Sequence, residues 1–182
     1  MKSTGVVRRI DSLGRIVLPK EIRKTLKLNS GDLLQIFIQK DQIVLEKYSP
    51  LSNFDKTTES VLNVLYKVLN MPALITDKKS VISAVGSASR LKNLPLSDSF
   101  ISIIDNKSSF LINHNDKIAI KKITASGDEN GFMSQIIVPV LDIENTPIGS
   151  VALLGESKNC EFSLKELNAV NFASKILVED LD

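Results

Sequence analysis

Residues 2–26 read KSTGVVRRIDSLGRIVLPKEIRKTL, and this stretch decides the fold of the first quarter of the chain. From Gly5 to Asp11 the residues alternate, with Val6, Arg8 and Ile10 on one side and Val7 and Arg9 on the other. That is the two-residue period of a strand. Ser12-Leu13-Gly14 is a turn signal, and Arg15–Leu18 follows as a second strand. Pro19 is expected at the first position of a short helix, where its missing N–H has no partner to lose. Ile22, Thr25 and Leu26 form the expected buried stripe of that helix. Asn29-Ser30-Gly31-Asp32 turns the chain, and Leu33–Gln39 and Ile43–Lys47 read as two more strands about a turn at Asp41-Gln42.

Fewer than fifty residues, without cysteines or metal ligands, bury too little surface to stand alone. The strands are nevertheless apolar on both faces. The economical solution is an intertwined homodimer in which two copies share one core. This module is also basic. Residues 1–50 hold ten Lys/Arg against five Asp/Glu, a net of +5, whereas residues 51–182 hold thirteen against sixteen, a net of −3. An anionic partner is therefore expected for the first part only.

The remaining chain supports two modules rather than one. The linker begins in Tyr48-Ser49-Pro50-Leu51-Ser52, and the division expected is 1–50 for the basic module, 51–55 for the linker and 56–182 for a second domain. A helix over Asn53–Asn70, capped by Ser52 with Asp55, carries Phe54, Thr58, Val61, Leu65 and Val68 in one stripe, with Leu62 and Leu69 in another. One stripe suits the domain's own core and the other a partner helix, while a helix packed only on its own domain explains the pattern equally well. Strands are expected at Pro72–Thr76, Val81–Val85, Phe110–Asn113, Ile118–Ile123, Met133–Val140 and Ile148–Leu154, with a helix near Leu96–Ile104. Gly127–Gly131 reads as a loop. Ser163 and Glu166 form a capping box for a last helix, with Phe162 stapled to Leu167 and an apolar face of Leu167, Val170, Ala173, Ile176 and Leu177. The fold class is α+β.

Residues 1–50 closely resemble the AbrB-type swapped-hairpin DNA-binding domain. The resemblance rests on Arg8-Arg9-Ile10-Asp11, Leu13-Gly14-Arg15 and Leu18-Pro19-Lys20-Glu21-Ile22-Arg23, in that order and spacing, and on the trailing DQIVLEKYSP. It implies a swapped-hairpin β-barrel dimer in which Arg8, Arg15, Arg23 and Lys24 contact double-stranded DNA. Lys24 stands where the family carries arginine, which keeps the charge and loses the two-pronged grip. Arg9 is a weaker candidate, and Lys2 and Lys20 are candidates for backbone contacts. The bland reading makes all of these ordinary surface cations. Gly14 and Pro19 serve the turn and the helix start. Family members favour deformable, A·T-rich sites, which implies indirect readout and a strong dependence on salt.

The order of modules, the KYSP connector, MPALITDKKSVISAVG at 71–86 and IIVPVLDIENTPIGSVALLG at 136–155 resemble the stage V sporulation protein T family of regulators. That resemblance implies a GAF-like antiparallel sheet with flanking helices. It also implies control of sporulation or stationary-phase genes and tetramers held by helices of the second domain. Two readings of that domain stay open: a pocket for an unidentified small ligand, which would shift the DNA-binding halves, or an assembly platform.

Other classes fit less well. One Cys, Cys160, excludes an intramolecular disulfide and suits a reducing cytoplasm, at the nucleoid for a DNA-binding protein. It reads as a small packed hydrophobe. His114 in Asn113-His114-Asn115-Asp116 reads as a solvated turn residue without metal-ligand partners. Asp128-Glu129 reads the same way. No cofactor or metal is implied. An enzyme such as a sulfoxide reductase on a GAF fold lacks a Ser/His/Asp or paired-carboxylate constellation. No apolar run reaches membrane-spanning length, and the N-terminus has no signal-peptide core. An antitoxin with a toxin partner uses a similar N-terminal module but ends in a short disordered tail, which this chain replaces with a patterned domain.

Overall fold

A computed structural model describes residues 5–26, 28–53, 55–116, 118–126 and 131–179, with the backbone alone at Ser52, Asn53 and Asp55. The chain divides into two compact units, residues 1–48 and 49–182.

In the first unit, helix α1 (Lys20–Thr25) is followed by a hairpin of β1 (Leu34–Gln39) and β2 (Gln42–Lys47). The ladder runs from Leu34↔Lys47 to Gln39↔Gln42, so the turn lies at Lys40-Asp41, one residue earlier than expected, with Lys40 at φ +53°. Pro19 is the residue before α1 rather than its first, and its carbonyl accepts the Arg23 N–H at 3.0 Å. Asn29–Asp32 turns as expected, with Asn29 N–H on the Asp32 carboxylate at 2.7 Å.

Two expectations fail in the single chain, for one reason. Gly5–Asp11 and Arg15–Leu18 carry no strand ladder, and α1 has no buried residue; Leu26 and Thr25 are exposed and Ile22 is half-buried. Strands exist only against a partner's N–H and C=O groups, and a stripe is buried only against a core. One copy of this unit offers neither to these segments. Its apolar side chains are correspondingly bare, with Val7 at 84% exposure and Ile38 at 81%.

The second unit is an α+β layer structure. Helix α2 (Asp55–Leu69) leads into β3 (Ala73–Thr76) and β4 (Val81–Val85); then come α3 (Asp98–Asp105), β5 (Phe110–Ile112), β6 (Ser134–Leu141), β7 (Pro147–Gly155) and α4 (Leu164–Glu179). The five strands form one antiparallel sheet in the order β4-β3-β7-β6-β5. Alternate residues feed two cores. Ala73, Ile75, Ile136, Val138, Val151 and Leu153 pack with Leu62 and Leu65 of α2 and with Val170, Ala173 and Leu177 of α4. Leu74, Ile137, Ala152 and Leu154 pack with Phe100 and Ile104 of α3 on the other face. Both faces are covered, which is why β6 and β7 read as unbroken apolar runs instead of alternating ones.

Local chemistry sets the element ends. Asp77 Oδ1 accepts the Lys79 and Ser80 N–H groups and closes the β3–β4 turn. The Ser97 hydroxyl accepts the Phe100 N–H and caps α3. The capping box at α4 forms as expected: Glu166 accepts the Ser163 N–H at 2.9 Å and the Ser163 hydroxyl at 2.6 Å. That hydroxyl accepts the Lys165 N–H.

Three expectations need correction. Leu51, expected in the linker, is fully buried in the core of the second unit. The connection between units therefore falls between Tyr48 and Ser49, because a buried leucine anchors the 3-10 turn Pro50–Asn53. Ile118–Ile123 is not a strand among the described residues; the buried amide of Gln135 serves Lys121 instead, with Nε2 donating to its carbonyl at 3.1 Å and Oε1 accepting its N–H at 3.0 Å. On α2, Val68 faces solvent while Thr58, Leu62 and Leu65 face the core. Phe54, the caps at Ser52 and Asp55, and most of the 127–131 loop lie outside the described residues.

Candidate nucleic-acid interface

The basic residues of the first unit fall into three places. Helix α1 carries Lys20, Arg23 and Lys24, which with Leu28 and Asn29 line one open groove of about 420 Å³. All three cations are exposed, and among the described residues none of them, nor Arg8 or Arg9, meets a carboxylate within ion-pair distance. Arg15 lies on the loop before α1 and is paired. Its Nε donates to Asp11 Oδ2 at 2.7 Å. Arg8 Nη1 donates to the Val7 carbonyl at 2.9 Å, a contact that holds no charge in check. Arg9 is exposed, and Lys2 lies outside the described residues. The structure thus brings Lys20, Arg23 and Lys24 together, and leaves Arg8 and Arg15 on separate segments of the same unit.

The sequence reading passed over Asp11. Its Oδ1 accepts the N–H of Leu13 at 2.9 Å and of Arg15 at 2.8 Å, and its carbonyl accepts the Gly14 N–H at 3.0 Å. These bonds hold the Asp11 carboxyl below its ordinary range: the Arg15 N–H contributes most, the Arg15 side chain next. Gly14, at φ +76°, supplies the left-handed turn that a bulkier residue resists. The signal was present in an Asp followed three residues on by Gly, the pattern of an Asx turn.

In the second unit, a groove of about 520 Å³ runs between α4 and β6. Val138, Pro139 and Leu141 line it with the polar residues Lys107, Asn171, Lys175 and Glu179. Cys160 packs against the α2–α4 core, and burial pushes its thiol up, with Glu166 adding to the effect. His114 is exposed in a 3-10 turn, and its backbone N–H reaches Ser134 Oγ. Among the described residues no three His, Cys, Asp or Glu side chains converge to hold a metal, and no helix is long and apolar enough to cross a membrane.

A cationic strand-and-helix unit followed by an antiparallel sheet between helices is a two-module architecture, and matches to known transcription regulators give it its class. The comparisons with known proteins say which. Residues 51–182 match the family described as stage V sporulation protein T C-terminal, transcription factor. The chain is 34% identical over 184 residues to stage V sporulation protein T of Bacillus subtilis, covering 100% of this chain and 99% of that one. The chain belongs to the stage V sporulation protein T family. Over 50 residues the chain is 50% identical to transition state regulatory protein AbrB of Bacillus subtilis, spanning 28% of this chain and 52% of that protein. Residues 7–52 also match a family described as antidote-toxin recognition MazE, bacterial antitoxin. For the second unit, the Thermosynechococcus elongatus PixJ GAF-domain in its blue-light absorbing form superimposes with a TM-score of 0.55 at 9% identity, covering 71% of this chain and 88% of that one. That likeness identifies a GAF-like fold.

Proposed function

We propose that two copies of residues 1–50 interlock and lay one cationic surface, built from Arg8, Arg15, Arg23 and Lys24 of each copy, against a DNA duplex. Arg9, Lys2 and Lys20 contribute at its margin. The observation that carries the reading is the α1 groove: Lys20, Arg23 and Lys24 converge with no carboxylate within ion-pair distance among the described residues. Lysines and arginines left unpaired beside each other repel, so such a cluster is kept for an anionic partner. Arginine grips phosphate or guanine in two places, and released counterions supply much of the affinity. The exposed apolar residues of the same unit, Val7, Ile10, Val17 and Ile38 among them, are what a second copy would cover. The strand-free segments 5–11 and 15–18 would find their ladder partners there. The module boundary proposed is residue 48, after which Leu51 belongs to the second domain.

The regulated genes are those of sporulation or stationary phase. For the second domain, assembly into tetramers through α2 and α4 is favoured by the outward Val64, Val68 and Phe172, at 62%, 73% and 68% exposure. Ligand sensing has a candidate place in the groove lined by Lys107, Lys175 and Glu179 with apolar Val138, Leu141 and Val178, which suits a small molecule with an apolar body and polar ends. The antitoxin reading, which the match over residues 7–52 favours, needs a segment free to wrap a toxin. Among the described residues, the helices and strands of the second unit instead feed two cores.

Gel shifts of the full chain at 50 and 200 mM salt test the proposal. Binding should weaken at least several-fold on raising the salt, and Arg23→Ala should weaken it about five- to a hundredfold. Affinity indifferent to salt and to Arg23 would refute the cationic surface.

A further inference from the structure

We infer that Asp11 is a positioning residue for DNA contact: it grips Arg15 from behind and leaves the working end of the guanidinium free. An acid beside a surface meant for phosphate is electrostatically misplaced, and its presence in a module of net charge +5 calls for a reason. The geometry supplies one. Oδ1 is committed to the loop, through the N–H groups of Leu13 and Arg15. The Asp11 N–H closes the loop from the other side, on the Arg15 carbonyl at 3.1 Å. Oδ2 is then aimed at the Arg15 Nε, at 2.7 Å. Only Nε is taken. The two terminal nitrogens, whose fork suits phosphate or guanine, make no bond among the described residues, and the Arg15 side chain is 70% exposed.

A free arginine loses side-chain entropy on binding. One held at Nε has already lost part of it, so binding is stronger for the same contacts. Asp11 thus adds repulsion towards phosphate and removes disorder from Arg15, and the second effect wins if the grip persists on DNA. This inference rests on the reading that Arg15 touches DNA.

The test uses full-length protein. One probe is a duplex selected by the wild type from random sequence, and the other is a scrambled duplex of the same composition. Asp11→Asn keeps an oxygen for the loop N–H groups and removes the charged grip on Nε. It should weaken binding to the selected duplex about three- to tenfold, although it deletes a negative charge. In an Arg15→Ala background, Asp11→Asn should cause no weakening. Asp11→Ser, which reaches the loop N–H groups but not Nε, should behave like Asp11→Asn and replaces it should that variant not fold. Equal or tighter binding by Asp11→Asn would overturn the inference, since repulsion would then dominate. The same weakening with and without Arg15 would overturn it too, as a loop effect alone. An Arg15→Ala variant that binds like the wild type defeats the Arg15 contact and its positioning together, while the Arg23 result still judges the cationic surface independently.

Discussion

Leu51 lies over Gly149, so closely that a methyl group on Gly149 would stand 2.7 Å from Leu51 Cδ1 and 2.0 Å from the Thr76 carbonyl oxygen. The residue expected to belong to a linker is therefore a fixed part of the second domain. Gly149→Ala forces a clash with backbone that cannot move without breaking the β3–β7 ladder at Thr76↔Ser150. It should lower the stability of the second unit by about 1–3 kcal/mol or more. Leu51→Ala leaves a cavity and should cost about 2–5 kcal/mol. Urea denaturation followed by circular dichroism checks both. A Leu51→Ala chain as stable as the wild type would return residue 51 to the linker.

Gln135 is another buried residue whose contacts lie distant in sequence. Its side chain is fully buried and pairs with both backbone groups of Lys121. Gln135→Leu preserves volume and strands a backbone N–H and C=O, at a cost of about 1–3 kcal/mol. Hydrogen exchange at the Lys121 amide should accelerate in that variant, while the amides of the β6–β7 ladder keep their protection.

Much of this was legible in the sequence where the cause is local. The Ser163–Glu166 box, the turn at Asp77, and the strands Val81–Val85 and Ile148–Leu154 each follow from a few neighbouring residues. The cationic set on α1 was legible because Lys20, Arg23 and Lys24 share a short helix. What escaped depends on distant partners. An alternating apolar segment at Ile118–Ile123 looks like a strand, and nothing nearby says that Gln135 satisfies its backbone instead. Leu51 follows Pro50 and precedes Ser52, the composition of a linker, and its burial is decided by Gly149 almost a hundred residues later. The strands expected at Gly5–Asp11 and Arg15–Leu18 have no ladder partner among the described residues of one chain. Asp11 was passed over because an acid in a basic module reads as a diluted charge until its two oxygens are seen to hold different things.

The cap of α4 should make the second unit acid-sensitive. Glu166 is held below its ordinary pKa of 4.5, chiefly by the hydrogen bond from the Ser163 side chain and then by the Ser163 N–H. A carboxyl whose folded-state pKa is depressed contributes stability that is complete above its unfolded value and is lost as pH falls through the folded one. Stability measured from pH 6 down past pH 4 should therefore decline, in part through Glu166. Glu166→Gln keeps an acceptor for the cap and removes the titration, so its profile should be flatter over that range. Ser163→Ala should cost about 0.5–2 kcal/mol at neutral pH.

Val68 and Phe172 test the assembly reading of the second domain. Both are large, apolar and exposed, on α2 and α4, the two helices that share one face of the sheet. Neither is needed by the core beneath, which is filled by Leu62, Leu65, Val170 and Leu177. A glutamate at either position should leave the fold intact, since surface substitutions away from special features change stability by about half a kcal/mol or less. Against a partner helix the same charge would be buried unpaired, at several kcal/mol per interface. Val68→Glu and Phe172→Glu should therefore convert a tetramer into dimers in multi-angle light scattering, with circular dichroism unchanged. DNA affinity per dimer should fall little, because the cations proposed to contact DNA lie in the other module, while any cooperative binding to paired sites should disappear. Tetramers that survive both substitutions would place the assembly surface elsewhere and leave these helices exposed for another reason.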